Sequence, residues 1–166
     1  MAEPVSVSRR IEAPAAAIFA VLADPARHPE IDGSGTVRAS AGPAPLEKVG
    51  DTFAMRMSNN LAGDYTVTNR VVEFERDRLI AWTPQVTSVS NPKFQDTVGR
   101  EGAVRWSYAL APDGENATIV TETHDYSRLP EQVRERILRT SEFWHDGMKR
   151  SLENLDRLAT RDQANR

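Results

Sequence analysis

Apolar residues alternate with polar ones from the start of the chain. Val5, Val7 and Ile11 against serines and arginines predict a first β-strand. The pattern then changes period. In "APAAAIFAVLADPARHPE", Pro14 suits a first helical turn, and Ile18, Phe19 and Leu22 supply an apolar face until Asp24-Pro25 stops it. Pro29 and the glycines of "IDGSG" leave room for at most one short second helix. Strands follow at "GTVRAS", at "DTFAMRMS" with Phe53, Met55 and Met57 on one face, at the β-branched "DYTVTNRVVEFE", and at "LIAWT". The stretch "WTPQVTSVSNPKFQDTVGRE" holds two prolines and no clear period, and reads as a long irregular segment over residues 84 to 101. "AVRWSYALA" and "ATIVTETHDYS" then form two strands joined by the hairpin signal "PDGEN".

The remainder is helical. Pro130 opens it with Glu131 in the first turn, and Val133, Ile137, Trp144, Met148, Leu152, Leu155 and Ala159 fall on one stripe. A helix of about 30 residues would be roughly 45 Å long, enough to cross a sheet. The predicted order is strand, one or two helices, six strands, long helix. Short-connected strands with helices at the ends imply an α+β fold, an antiparallel sheet with helices on one face.

Composition narrows the classes. The 166 residues suit one domain, 1–166, with a flexible tail from about 160, and 39% hydrophobic against 27% charged is a globular balance. A net charge of −3 without a basic block argues against nucleic acid as a partner. No apolar run approaches the roughly 18 residues of a membrane span, and the N-terminus lacks the apolar core of a signal peptide. There are no cysteines, which excludes thiol catalysis, zinc-thiolate sites and disulfides. A cytoplasmic location is the expectation.

Three stretches carry a family resemblance: "RIEAPAAAIFAVLADPARHPEIDGSG", "VVEFERDRLIAW" and "RWSYALAPDGENATIVTETHDYS". With the element order they resemble the START / polyketide cyclase-dehydrase (SRPBCC) superfamily, which shares the helix-grip fold of the birch-pollen allergen. The resemblance implies a curved seven-stranded antiparallel sheet wrapped around the long C-terminal helix, with a cavity between them. The segment between Trp82 and Trp106 is longer than in short members of the family.

No candidate catalytic pair survives simple geometry. His145 and Asp146 are neighbours on a helix, about 100° apart, so the carboxylate cannot orient the imidazole. His124 and Asp125 point to opposite faces of a strand. Pairing Leu110 with Ile119 would turn Thr121, Thr123 and Asp125 inward, and this is the favoured register; a slip by one would turn Glu122 and His124 inward instead. His28, Glu30 and Asp32 could bind a metal, but turn and cap hydrogen bonds explain them more simply, and no metal or cofactor is expected. Gly147, inside a helix at a cost of about 1 kcal/mol, calls for a close approach, a bend or a ligand.

The aromatic and methionine residues are more informative. Phe53, Met55, Met57, Tyr65, Trp82, Trp106, Tyr108, Trp144 and Met148, with Asn69, fall on predicted inward faces. They suit an apolar ligand with one or two polar groups. The expected function is binding of a hydrophobic or aromatic, lipid- or polyketide-like molecule under the C-terminal helix. The alternative is a cyclase or dehydratase using Tyr65, Tyr108, Asp125 or an inward histidine as general acid or base. Phe143, off the stripe, leaves a homodimer contact or an interaction surface open.

Overall fold

A computed structural model describes residues 3–100 and 102–165. Residue 101, the last of the irregular segment, and residue 166 of the expected tail lie outside the described residues, as do residues 1 and 2. The elements are β1 (Val5–Ile11), α1 (Ala15–Leu22), a 3₁₀ turn (Pro25–Arg27), α2 (His28–Ile31), β2 (Val37–Ala41), β3 (Thr52–Asn59), β4 (Gly63–Glu75) and β5 (Leu79–Val89). A second 3₁₀ turn (Pro92–Thr97), β6 (Arg105–Pro112), β7 (Thr118–Asp125), α3 (Glu131–Leu138) and α4 (Ser141–Ala164) follow. Seven strands form one antiparallel sheet in the order β1-β7-β6-β5-β4-β3-β2. This is the expected helix-grip arrangement. Register shifts in β4, between Thr66 and Val67 and between Val71 and Glu73, bend the sheet as β-bulges do.

α4 closes the concave face. Its Leu152, Leu155, Leu158 and Ala159 are buried with Ile18 and Leu22 of α1 and with Ile11, Val71, Ile80 and Val120 from the sheet. Each leucine so buried contributes about 1.5–3 kcal/mol. Among the described residues no helix is long and apolar enough to cross a membrane, which says nothing about strands.

Four expectations need correction. The favoured register of the last hairpin is wrong: Leu110 pairs with Val120 and Ala111 with Ile119. The loop has five residues, closed by Asp113 N donating to Ala117 O at 2.8 Å, with Gly114 at φ 85°. That turn shifts the partner strand by one, and Val120 fills the core as well as Ile119 would have. Ile119 is left 41% exposed while Val120 is fully buried. Thr121 and Thr123 therefore face away from the cavity and bond Ser8 and Ser6 of β1 at 2.7 and 2.8 Å.

The C-terminal helix is also not continuous. Arg139 and Thr140 separate α3 from α4, with Thr140 at φ −112°, ψ 20° and its hydroxyl donating to Ile137 O at 3.0 Å. A threonine bonded to its own preceding turn competes with the helical ladder. α4 then runs on to Ala164, past residue 160; Asp162 accepts a hydrogen bond from Arg27 at 2.9 Å and so ties the last turns to the α1–α2 region.

The irregular segment is in large part strand. β5 continues to Val89, where Val89 pairs with Tyr65, and Val86 bridges Val98 beyond the 3₁₀ turn. β6 pairs β5 only from Leu79 to Trp82, so the second half of β5 borders β4 on one side. Proline is tolerated in such an edge position, which accounts for Pro84 within the strand.

Finally, the tight helix contact belongs to Gly33, not Gly147. A Cβ on Gly147 would sit 3.5 Å from Ser34, an ordinary contact. One on Gly33 would overlap the Gly147 carbonyl oxygen and lie 2.5 Å from Arg150 Cβ and Ser151 N. Three hydrogen bonds fix this junction: Gly33 N to Ser151 Oγ at 2.9 Å, Arg150 Nε to Gly33 O at 2.8 Å and Asn154 Nδ2 to Ile31 O at 3.1 Å.

Candidate functional site

The sheet register lays out the site as a grid. Trp82 of β5 is opposite Trp106 of β6, which is opposite His124 of β7; one step along, Ile80, Tyr108 and Glu122 repeat the row. These side chains share the concave face because strand residues alternate. Between this face and α4 lies a cavity of about 300 Å³, at the small end of ligand sites. β3 contributes Met55 and Met57, and β4 contributes Tyr65, Val67 and Asn69. α4 roofs it with Trp144, Gly147, Met148 and Ser151, and α3 sends in Ile137. The α1–β2 region closes the remaining side with Leu22, His28, Ile31, Asp32, Ser34, Thr36 and Val37.

Of the sequence-selected residues, Met55, Met57, Tyr65, Asn69, Trp82, Trp106, Tyr108, Trp144 and Met148 line this space. Phe53 lies behind it, 2% exposed and edge-on to His28 and Trp82 at 5.1 and 5.4 Å. From the segment 84 to 101, Pro84 and Val86 reach the wall; from α1, only Leu22 does. His145 is half-buried and is not among the lining residues. Asp125 faces the other side of the sheet, where its carboxylate accepts from Ser127 N at 2.9 Å; the bonds to Ser127 hold its pKa below the usual range.

Three polar groups were missed or misplaced. His28 is buried, stacked on Trp82 at 5.3 Å and 24°, with Nε2 2.7 Å from Leu22 O. A carbonyl can only accept, so Nε2 carries the proton, and the neutral ring leaves Nδ1 as an acceptor. Burial lowers its pKa. Its position between two prolines and near Glu30 and Asp32 spoke for a turn, and nothing local announced an aromatic stack. Glu122 and His124 depended wholly on the hairpin register.

Glu122 is 3% exposed, and its Oε1 accepts from Tyr108 Oη at 2.9 Å. Burial pushes its pKa up to about 8, outweighing the opposing effect of the tyrosine bond. Tyr108 moves well above its ordinary value, first through burial and then through the charge of Glu122. Burial takes His124 down to about 4. Its ring stacks on Trp106 at 4.0 Å and 3°, with Trp144 at 5.4 Å. At neutral pH the acid is therefore protonated and the imidazole free, a pairing that can give a proton at one point and take one at another.

Five buried side-chain polar atoms among the described residues lack a hydrogen-bond partner, and three belong to the cavity: Asn69 Nδ2, Glu122 Oε2 and His124 Nδ1. Each such atom costs about 1–3 kcal/mol when left unpaired. No group of three His, Asp or Glu among the described residues is placed to hold a metal ion.

Comparison with known proteins adds to this geometry. A family model described as polyketide cyclase / dehydrase and lipid transport matches residues 3–160. An uncharacterized protein of Mycobacterium tuberculosis is 38% identical over 128 residues, covering 75% of this chain and 49% of its own length. The chain thus spans about half the length of the curated relatives it matches. A solution structure from Arthrobacter aurescens superposes with a TM-score of 0.67 at 15% identity, covering 95% of this chain and 86% of that one. The Zhui aromatase/cyclase of a Streptomyces species superposes at 0.58 and 17% identity, covering 93% and 94%. At these identities the superpositions speak for the fold alone.

Proposed function

The chain belongs to the polyketide cyclase / dehydrase and lipid transport family, and on that premise we propose that it binds a hydrophobic or aromatic small molecule, polyketide- or lipid-like, in the cavity beneath α4. The observation that carries this reading is a cavity of about 300 Å³ walled by aromatic and methionine side chains and holding three unpartnered polar atoms. Buried polar groups are ordinarily paired, and a ligand with one or two polar groups would pair with these. Trp82, Trp106 and Trp144 all stand at the wall, so tryptophan emission reports occupancy directly. Titration with two- to four-ring aromatic ketones and phenols is expected to quench or shift that emission saturably. Trp144→Ala should weaken binding by about tenfold, as loss of a large buried contact does. A flat emission response across the series, with no co-purifying mass in native mass spectrometry, would remove this reading.

The Tyr108–Glu122 pair favours a second reading, a cyclase or dehydratase acting on the same ligand. A base such as neutral His124 would take a proton from the carbon next to a carbonyl, while Glu122 would give its proton to the departing hydroxyl, which leaves as water. Glu122 here takes the part that the sequence assigned to Asp125. The expected result is that Glu122→Gln lowers turnover by about 10²-fold or more while ligand affinity changes little. Equal turnover in both proteins would remove the catalytic reading and leave the binding one.

A further inference from the structure

The cavity has an electrical bias that apolar fit does not require. The chain contains 21 lysines and arginines, yet among the described residues none lines the cavity, whereas Asp32 and Glu122 both do. Asp32 is fixed as an acceptor by the turn after α2: Oδ1 takes the Ser34 amide at 3.0 Å and hydroxyl at 2.6 Å, and Oδ2 takes the Val37 amide at 3.0 Å. Its charge is felt across the space, since it helps raise the pKa of Tyr65, Tyr108 and Glu122. An anion entering here would shed its water, meet no cation and face that carboxylate.

Resting on the reading of the cavity as a ligand site, we infer that it selects uncharged molecules bearing a carbonyl or similar acceptor oxygen, which takes a hydrogen bond from the Glu122 carboxyl, and that it rejects carboxylates and phosphates. Glu122 has one oxygen engaged by Tyr108 and the other buried without a partner. Burial keeps it a donor, against the opposing effect of the Tyr108 bond. β6 offers Tyr108, β7 offers neutral His124, β1 places Val7 at the paired position, and the turn after α2 adds the charge of Asp32. α4 presents only uncharged groups to the cavity, Trp144, Gly147, Met148 and Ser151. With the carboxyl titrating at about 8, the donor is present at neutral pH and becomes a repelling carboxylate above it.

Calorimetric titration of the full chain with two naphthalenes of one shape separates the neutral molecule from the anion: the methyl ketone and the naphthoate. At neutral pH the ketone is expected to bind at least about tenfold more tightly than the naphthoate. Its affinity should fall as pH rises through about 8 in the wild-type protein. In Glu122→Gln, whose amide still donates, the ketone affinity should stay flat with pH. Naphthoate binding as tightly as the ketone would overturn the inference, as would a wild-type pH profile that the glutamine variant reproduces. Because the charge ranking is read on the wild-type protein, it does not depend on the variant folding. Binding with the wrong charge preference removes the inference alone; no binding by either compound removes the cavity reading with it.

Discussion

Gly33→Ala is expected to destabilise the protein by about 3 kcal/mol or more, whereas Gly147→Ala, one contact away, is expected to be neutral or stabilising by up to about 1 kcal/mol. The two glycines stand at the same junction, but only one of them needs to lack a side chain. The Cβ of an alanine at 33 would run into backbone atoms of α4, the Gly147 carbonyl and the Ser151 amide, which cannot rotate aside. The loop would have to lift off the helix and break the bonds from Arg150, Ser151 and Asn154 to the 31–33 backbone. An alanine at 147 meets Ser34 at 3.5 Å and restores helix propensity. Urea unfolding of both variants checks the pair. A Gly33→Ala variant within 1 kcal/mol of wild type, or a Gly147→Ala variant less stable than it, would contradict the packing described.

Conformational stability is expected to peak near pH 6.5 and to fall by about 2 kcal/mol on going to pH 8. Glu122 is raised from 4.5 to about 8, so its contribution is complete below 4.5 and is lost as pH rises through the folded value. His124 is lowered from 6.5 to about 4, and His28 is lowered as well, so theirs is complete above 6.5 and is lost as pH falls. Between 4.5 and 6.5 the acid opposes the imidazoles, and above 6.5 only Glu122 acts. The raised tyrosines titrate above 10 and Asp125 below 3.8, outside this window. Urea midpoints measured across the range should show the alkaline decline in the wild-type protein and its absence in Glu122→Gln. A decline of equal size in both would assign it to another group.

The element order was legible because each strand announces itself through alternation and each turn through proline, glycine or aspartate. The inward faces of β3 to β6 were legible for the same reason: Met55, Met57, Tyr65, Trp82 and Tyr108 sit where their parity puts them. β7 was different. It carries apolar residues of both parities, Ile119 and Val120, so hydrophobicity could not decide its register, and the deciding quantity was the conformation of a five-residue loop. One residue of slip exchanged Thr121, Thr123 and Asp125 for Glu122 and His124, which changed the chemistry of the whole cavity. His28 was illegible for another reason: its stack on Trp82 joins residues 54 positions apart. The helix break at Thr140 lay hidden because the apolar stripe continues on both sides of it.

α3 has a consequence of its own. None of its eight residues is buried, and of the whole segment only Ile137 turns toward the cavity. Substitutions along it would leave the folded core untouched while reshaping one wall of the site. Part of the ligand range is thereby placed on a stretch of chain that the core does not use, so a change at Ile137 could retune what the protein accepts without endangering its integrity.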